Sequence, residues 1–286
     1  MPSSHIRYNL LGLPVDALTL DMAVERVSEQ IERARQIRLL AAGRVTPTPA
    51  DSLQSVDESN GQSVAGSLWQ VVTLNPEMVM QARRDTQFQA LIQAAPMVTV
   101  DGIGIVWALR WRGVRLPGRV TGVDLLEALA AHAAMAGWRL FLLGAAPRVA
   151  ALAGQTLQRR YPGLQIVGAW VGTPDRSGDT ETLKRVFEAQ PDILFVAYGS
   201  PTQECWIARI SRALADSHDT TLAGMVAIGV GGAFDVLAGR LPRAPRWLRA
   251  IGLEWLFRLA RQPWRWRRML ALPRFALAAL REGQRV

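Results

Sequence analysis

The chain has 286 residues, room for one large α/β domain with an appendage or for two small domains, with a full hydrophobic core in either case. Apolar residues make up 49% and charged residues 20%, which excludes a wholly disordered chain, and the single Cys205 excludes an internal disulfide. The net charge of +9 is localised: residues 240–286 carry twelve Arg against two acids, Glu254 and Glu282, whereas the rest holds 21 basic and 22 acidic residues.

The first thirty residues lack a basic stretch followed by an unbroken apolar one, so the chain reads as cytoplasmic. Leu10 to Val15 predict a short strand or turn. A helix follows, with Thr19 as N-cap, Asp21 in the first turn, and Val24, Val27, Ile31 and Ala34 at spacings of three and four. From Gly43 to Ser67 the periodicity vanishes; twelve of those 25 residues are Ser, Gly, Pro or Thr, the composition of a flexible insertion. From Trp69 onward short apolar runs alternate with helical spacing. Strands are predicted over 71–75, 97–100, 139–143, 165–171, 193–198 and 225–230, and helices over 76–94, 122–136, 147–160, 179–189 and 202–215. Runs such as Leu140 to Leu143 and Ile193 to Val196 are apolar on both faces, as parallel strands covered by helices on each side must be. The expected fold is therefore α/β, a Rossmann-like, doubly wound, mostly parallel sheet over residues 1–239, with a basic amphipathic helical appendage over 240–286.

Arginine every few positions leaves no run of about 18 uncharged apolar residues, so no membrane span is predicted. The tail also holds Trp247, Trp255, Trp264 and Trp266, four of the ten tryptophans. A basic segment interleaved with amphipathic rings suits an anionic membrane surface; nucleic acid is the competing reading, since arginine and aromatics also serve phosphate contact and base stacking. Arg258, Arg261, Arg265 and Arg268, spaced three, four and three, fall on one face of a continuous helix, which Pro263 interrupts.

Open α/β sheets bind ligands beyond the carboxyl ends of their strands. Four predicted strands end in Thr73-Leu74-Asn75-Pro76, Asp101-Gly102-Ile103-Gly104, Gly199-Ser200-Pro201-Thr202-Gln203-Glu204 and Gly231-Gly232-Ala233-Phe234-Asp235. Taken singly, Asn75 before Pro76 reads as a helix N-cap and Asp101-Gly102 as a tight turn; together they set small polar residues along one sheet edge. Gly229-Val230-Gly231-Gly232 lets backbone approach a diphosphate, but it is not the dinucleotide fingerprint, so no nicotinamide cofactor is expected. His5, His132 and His218 share no ligand spacing with one another or with Cys205, and no DxD pair occurs, so neither metal nor cofactor is expected. Cys205, with no neighbouring His, reads as a buried helix residue.

These pieces, followed by Arg119-Val120-Thr121-Gly122-Val123-Asp124-Leu125, Tyr161-Pro162, Pro191-Asp192-Ile193-Leu194, Arg243-Ala244-Pro245 and Gly252-Leu253-Glu254-Trp255-Leu256-Phe257-Arg258, resemble in order the WecG/TagA/CpsF bacterial glycosyltransferases from about Leu10 to Arg268. The resemblance implies metal-free, inverting transfer of a sugar from a UDP-sugar to a polyprenyl-diphosphate-linked sugar, peripheral on the inner face of the cytoplasmic membrane, in cell-surface polysaccharide synthesis. It matches Asp101 to the family's catalytic carboxylate, Thr73, Asn75, Arg119 and Gln203 to its substrate pocket, and Arg258, Arg265 and Arg268 to its C-terminal arginines. Gly231 and Gly232 are expected at the substrate diphosphate, and Asp235 is assigned to the uridine side.

Charge leads to a similar mechanism. Inverting transfer needs a base for the acceptor hydroxyl and a means of stabilising the departing diphosphate; Asp101, between a strand end and two glycines, suits the first, and the tail arginines suit the second. A noncatalytic, membrane-associated scaffold of a polysaccharide assembly complex and a basic nucleic-acid-binding protein are the alternatives, the latter disfavoured because it leaves the polar strand-end set without a role. Donor sugar, acceptor and oligomeric state, a homo-oligomer included, stay open.

Overall fold

The computed structural model describes residues 6–41, 67–217, 219–250, 252–263 and 266–282. The predicted 43–67 insertion, apart from Ser67, and the candidate residue Arg265 lie outside the described residues. An antiparallel hairpin, β1 (Arg7–Leu10) and β2 (Leu13–Asp16), leads into α1 (Leu20–Ala41), whose first turn is capped by the Thr19 hydroxyl accepting from the Met22 amide at 3.2 Å.

Six strands follow, all parallel: β3 (Trp69–Leu74), β4 (Met97–Val100), β5 (Arg139–Gly144), β6 (Gln165–Trp170), β7 (Ile193–Ala197) and β8 (Val226–Gly229), in the spatial order β4-β3-β8-β7-β5-β6. Between them run α2 (Pro76–Ala82), α3 (Thr86–Gln93), α4 (Ile103–Trp111), α5 (Gly122–Ala136), α6 (Val149–Arg160), α7 (Asp179–Ala189) and α8 (Thr202–Ser217). Alternate residues of the strands enter opposite apolar layers. Leu140, Leu142, Ile193, Phe195 and Ile228 pack with α1, α5 and α6. On the other face Phe141, Leu143, Leu194, Val196 and Ala227 pack with α7 and α8, and Val72, Leu74, Val98 and Val100 with α2, α3 and α4. The sheet is thus covered by helices on both sides, the Rossmann-like arrangement that its doubly apolar strands predict.

Two expectations change. The segment 76–94 is two helices, because Asp85 caps a new one: its carboxylate accepts from the Phe88 amide at 3.0 Å, a bond that turns the chain before Thr86. Cys205 is exposed: the buried stripe of α8 runs through Gln203, Glu204, Trp206, Ile207, Ile210 and Leu214, and position 205 falls on the opposite side. Burial of its neighbourhood, with Glu204 and Asp85, pushes the thiol upward, away from the thiolate form.

The Pro191-Asp192 motif is structural. Asp192, buried at the head of β7, accepts from Arg35 at 2.7 Å, Arg38 at 3.2 Å and the Arg139 amide at 3.0 Å, tying α1 to the sheet. Burial pushes its carboxyl up, but these donors and the two guanidinium charges outweigh burial and hold it below the ordinary range.

After β8 come α9 (Ala233–Leu237), α10 (Arg246–Ala250), α11 (Glu254–Arg261), α12 (Trp266–Met269) and α13 (Ala271–Arg281). The basic tail is docked at both ends. Arg243 pairs with Asp124 and, at 3.4 Å, with Glu127 on α5, while Arg249 reaches Asp124 at 3.8 Å. At the far end Phe275, 3% exposed, and Ala279 join the core under α2 and α4, and Glu282 pairs with Arg83 at 3.4 Å and Arg112 at 3.7 Å.

Candidate active site

The carboxyl ends of β4, β3, β7 and β8 form one side of a cleft, and α11, α12 and the start of α13 form the other. Asp101 stands at its centre. Its amide donates to the Leu74 carbonyl at 2.9 Å, which holds the end of β4 against β3. Gly102 must lack a side chain, because a Cβ there would lie 2.3 Å from Cδ of Pro76. The Val120 amide donates to the Val100 carbonyl at 2.9 Å and the Thr99 hydroxyl to the Val120 carbonyl at 3.2 Å, so the segment carrying Arg119 runs alongside β4. Thr121 then caps α5, and the Gly122 amide at its start lies near enough to favour the ionised Asp101 carboxylate.

Burial pushes the Asp101 carboxyl up to about 6; Arg258 pulls it down, Glu254 pushes it up, and Arg119 and the Gly122 amide pull it down. Glu254 is the hub of this charge set. It lies 3.0 Å from Nη2 of Arg258, four residues along α11, and 3.8 Å from Nη2 of Arg119. Arg268 closes the rim, its Nε donating to Glu77 of α2 at 2.8 Å. Each arginine of the cleft thus already holds a carboxylate, at contacts that reach solvent: Arg258 is 40% and Arg268 46% exposed in their side chains.

The strand side is bonded inward. The Thr73 hydroxyl donates to the Gly229 carbonyl at 3.2 Å, and Asn75 caps α2 by accepting from the Met78 amide at 3.1 Å, so its capping reading holds while it also lines the cleft. Gln203 is buried; Oε1 accepts from the Gly199 amide at 3.1 Å and the Gly231 amide at 3.0 Å, and Nε2 donates to Glu204 at 2.8 Å. It clamps the loops after β7 and β8 together. The Gly231 amide is accordingly engaged with Gln203, whereas a Cβ on Gly231 or Gly232 would meet nothing within 4 Å, so both border open space.

Thr73, Asn75, Asp101, Arg119, Gln203, Gly231, Gly232, Arg258 and Arg268 all line the cleft; Asp235, one turn into α9, does not. Two charged lining residues, Glu77 and Glu254, were not among the site candidates. The signal for Glu254 was its spacing of four from Arg258, the distance of an ion pair on a helix; Glu77 carried no signal beyond its place after Asn75-Pro76. Among the described residues no three or more His, Cys, Asp or Glu side chains converge as a metal site.

Residues 44–286, which contain every strand of the parallel sheet and the whole cleft, match the family described as Glycosyl transferase WecG/TagA/CpsF. The chain belongs to the WecG/TagA/CpsF glycosyltransferase family. Two relatives bear the same name, N-acetylglucosaminyldiphosphoundecaprenol N-acetyl-beta-D-mannosaminyltransferase. The Bacillus subtilis (strain 168) protein is 35% identical over 213 residues, 74% of this chain and 79% of that one. The Bacillus spizizenii protein is 34% identical over 211 residues, 74% of this chain and 78% of the relative. As a WecG/TagA/CpsF member the chain is a sugar transferase.

Proposed function

We propose that this WecG/TagA/CpsF enzyme transfers an N-acetylhexosamine-type sugar, N-acetylmannosamine first among the candidates, from a UDP-sugar to a sugar carried on a polyprenyl diphosphate. The transfer inverts the anomeric carbon and draws on guanidinium groups rather than a divalent cation. The observation that carries this reading is the Asp101 carboxylate at the end of β4, lining one cleft with Arg119 and Arg258; burial pushes it up to about 6. A base of that strength is ionised at neutral pH yet keeps affinity for a proton. As the acceptor hydroxyl attacks, its proton passes to Asp101, the new C–O bond forms, and the bond to the diphosphate breaks with its electron pair leaving on UDP. One such displacement on an α-linked nucleotide sugar gives a beta-linked product, the linkage printed in the relatives' names. The charge gathering on the diphosphate is received by Arg119, Arg258 and Arg268, which exchange Glu254 and Glu77 for phosphate oxygens. Arg265 belongs to the same proposal from the sequence.

The tail also supports attachment to the inner face of the membrane. No helix among the described residues is long and apolar enough to cross a bilayer, while Trp247, Leu256, Trp266 and Leu270 are exposed beside basic residues. The test of the reaction incubates the full chain with a panel of UDP-sugars and an N-acetylglucosamine-diphosphate-lipid acceptor, with and without a chelator. UDP release with a beta-linked disaccharide product, unchanged by the chelator, is expected; no release with any donor would end the reading, and a chelator-sensitive rate would end its metal-free part.

A further inference from the structure

α4 carries an apolar face that the core does not use. Ile105, Ala108 and Leu109 are buried beneath it, whereas Trp107 and Trp111, one turn apart on the outward side, are 61% and 69% exposed. Two neighbouring indoles in water form a patch that calls for a partner. α13 repeats the pattern: Phe275 and Ala279 point inward, and Leu277 and Leu280 remain exposed. The two helices are neighbours, since a Cβ on Gly104 would lie 3.6 Å from the Phe275 ring. Both reach the cleft, which Ile103 and Gly104 of α4 and Leu272 of α13 line.

The charge around these indoles is mostly positive, with Glu282 paired to Arg83 and Arg112 at its edge. From Asp101 to Asp124 the chain contains four arginines and no acid, and from Glu254 to Glu282 seven arginines and no acid. Arg110, Arg115, Arg274 and Arg281 are exposed and hold no carboxylate among the described residues. Such a face repels a second copy of itself, which a two-fold contact would lay directly opposite. It suits a surface that is anionic outside and apolar below, where indoles settle at the boundary.

We propose that the outward face of α4, Trp107 and Trp111 with Arg110 and Arg115, is a membrane-contact element of the α/β core that together with α13 seats the mouth of the cleft on an anionic phospholipid surface. This deepens the proposed reading, on which it rests for the polyprenyl-linked acceptor. α4 starts at the cleft, and seven residues at 1.5 Å each carry Trp111 roughly 10 Å from Gly104. A lipid diphosphate can therefore place its sugar at Asp101 while its hydrocarbon stays in the bilayer.

The experiment measures co-sedimentation of the full chain with phosphatidylglycerol and with phosphatidylcholine vesicles. The double variant Trp107→Ser/Trp111→Ser, whose side chains lie outside the core, is expected to partition about tenfold more weakly onto phosphatidylglycerol. Its turnover of a vesicle-embedded polyprenyl acceptor falls in parallel, and turnover of a short-chain, water-soluble acceptor stays at the wild-type rate. Arg110→Glu/Arg115→Glu weakens binding to phosphatidylglycerol alone, as added salt does. Wild-type partitioning of the tryptophan variant overturns the proposal. So does a changed oligomeric state by light scattering with partitioning intact, which makes the face a contact between copies, or an equal loss on the short-chain acceptor. A wild-type chain that turns over no UDP-sugar refutes the transferase reading instead, and the vesicle measurement still judges α4.

Discussion

The two sides of the cleft hold their polar groups in opposite ways. On the sheet side Thr73, Asn75 and Gln203 spend their hydrogen bonds on the protein, at buried or half-buried positions where an unmade bond is costly. On the tail side Arg258 holds Glu254 at a part-buried contact and Arg268 holds Glu77 at an exposed one, and with both guanidinium groups reaching solvent these pairs are more readily exchanged. The lesson is a division of labour: the sheet edge shapes the cleft, and on the proposed reading the tail supplies charge that a diphosphate can take over. Asp101 stands between the two, built into the sheet by its backbone and tuned by the tail through its side chain.

Substitutions separate these roles. Asp101→Ala is expected to lower turnover by about 10²–10⁴-fold while leaving thermal unfolding unchanged or raised, because an ionised carboxylate disfavoured by burial is no support to the fold. A near-normal rate would remove it from the role of base. Arg258→Ala should reduce kcat by about a hundredfold to a thousandfold and cost less than about 1 kcal/mol of stability, measured by turnover and denaturant titration; equal activity would reduce it to a surface residue. Gln203→Ala reverses that ratio: it leaves the Gly199 and Gly231 amides without their acceptor, and about 2 kcal/mol of stability should go with it. A variant as stable as the wild type would show that the clamp does not shape the loops.

The glycines make a finer contrast. Gly102→Ala meets Pro76 inside the fold and should destabilise by about 1–3 kcal/mol, whereas Gly232→Ala projects into open space and should fold normally with a raised KM for the donor. The smallest effect concerns pH. Since Asp101 must be ionised to accept a proton, the rate should fall as pH drops through about 6. Glu254→Gln removes a charge that raises this pKa and frees two arginines that lower it, so the acid limb should move to lower pH; a limb that stays in place would dissociate Glu254 from Asp101.

Much of the sheet was legible in the residues. Strands predicted over 97–100 and 193–198 are observed over Met97–Val100 and Ile193–Ala197, because apolar runs buried on both faces have few other ways to satisfy their backbone. The helix over 122–136 was bounded by a cap and by Gly137, local signals that need no tertiary context. α4 went unread, since its apolar residues face both core and solvent and leave no polar stripe to set a period. The exposure of Cys205 needed the full buried stripe of α8 to be seen.

Residue types and their spacing were enough to place Asp101 and the glycines at strand ends and to mark off the basic tail, because strand ends and charge clusters are local properties of a chain. The pairing of Arg119 and Arg258 through Glu254, the clamp made by Gln203 and the raised affinity of Asp101 for its proton had to await the fold. Each depends on groups far apart in the chain, and on the removal of water between them, which packing alone brings about.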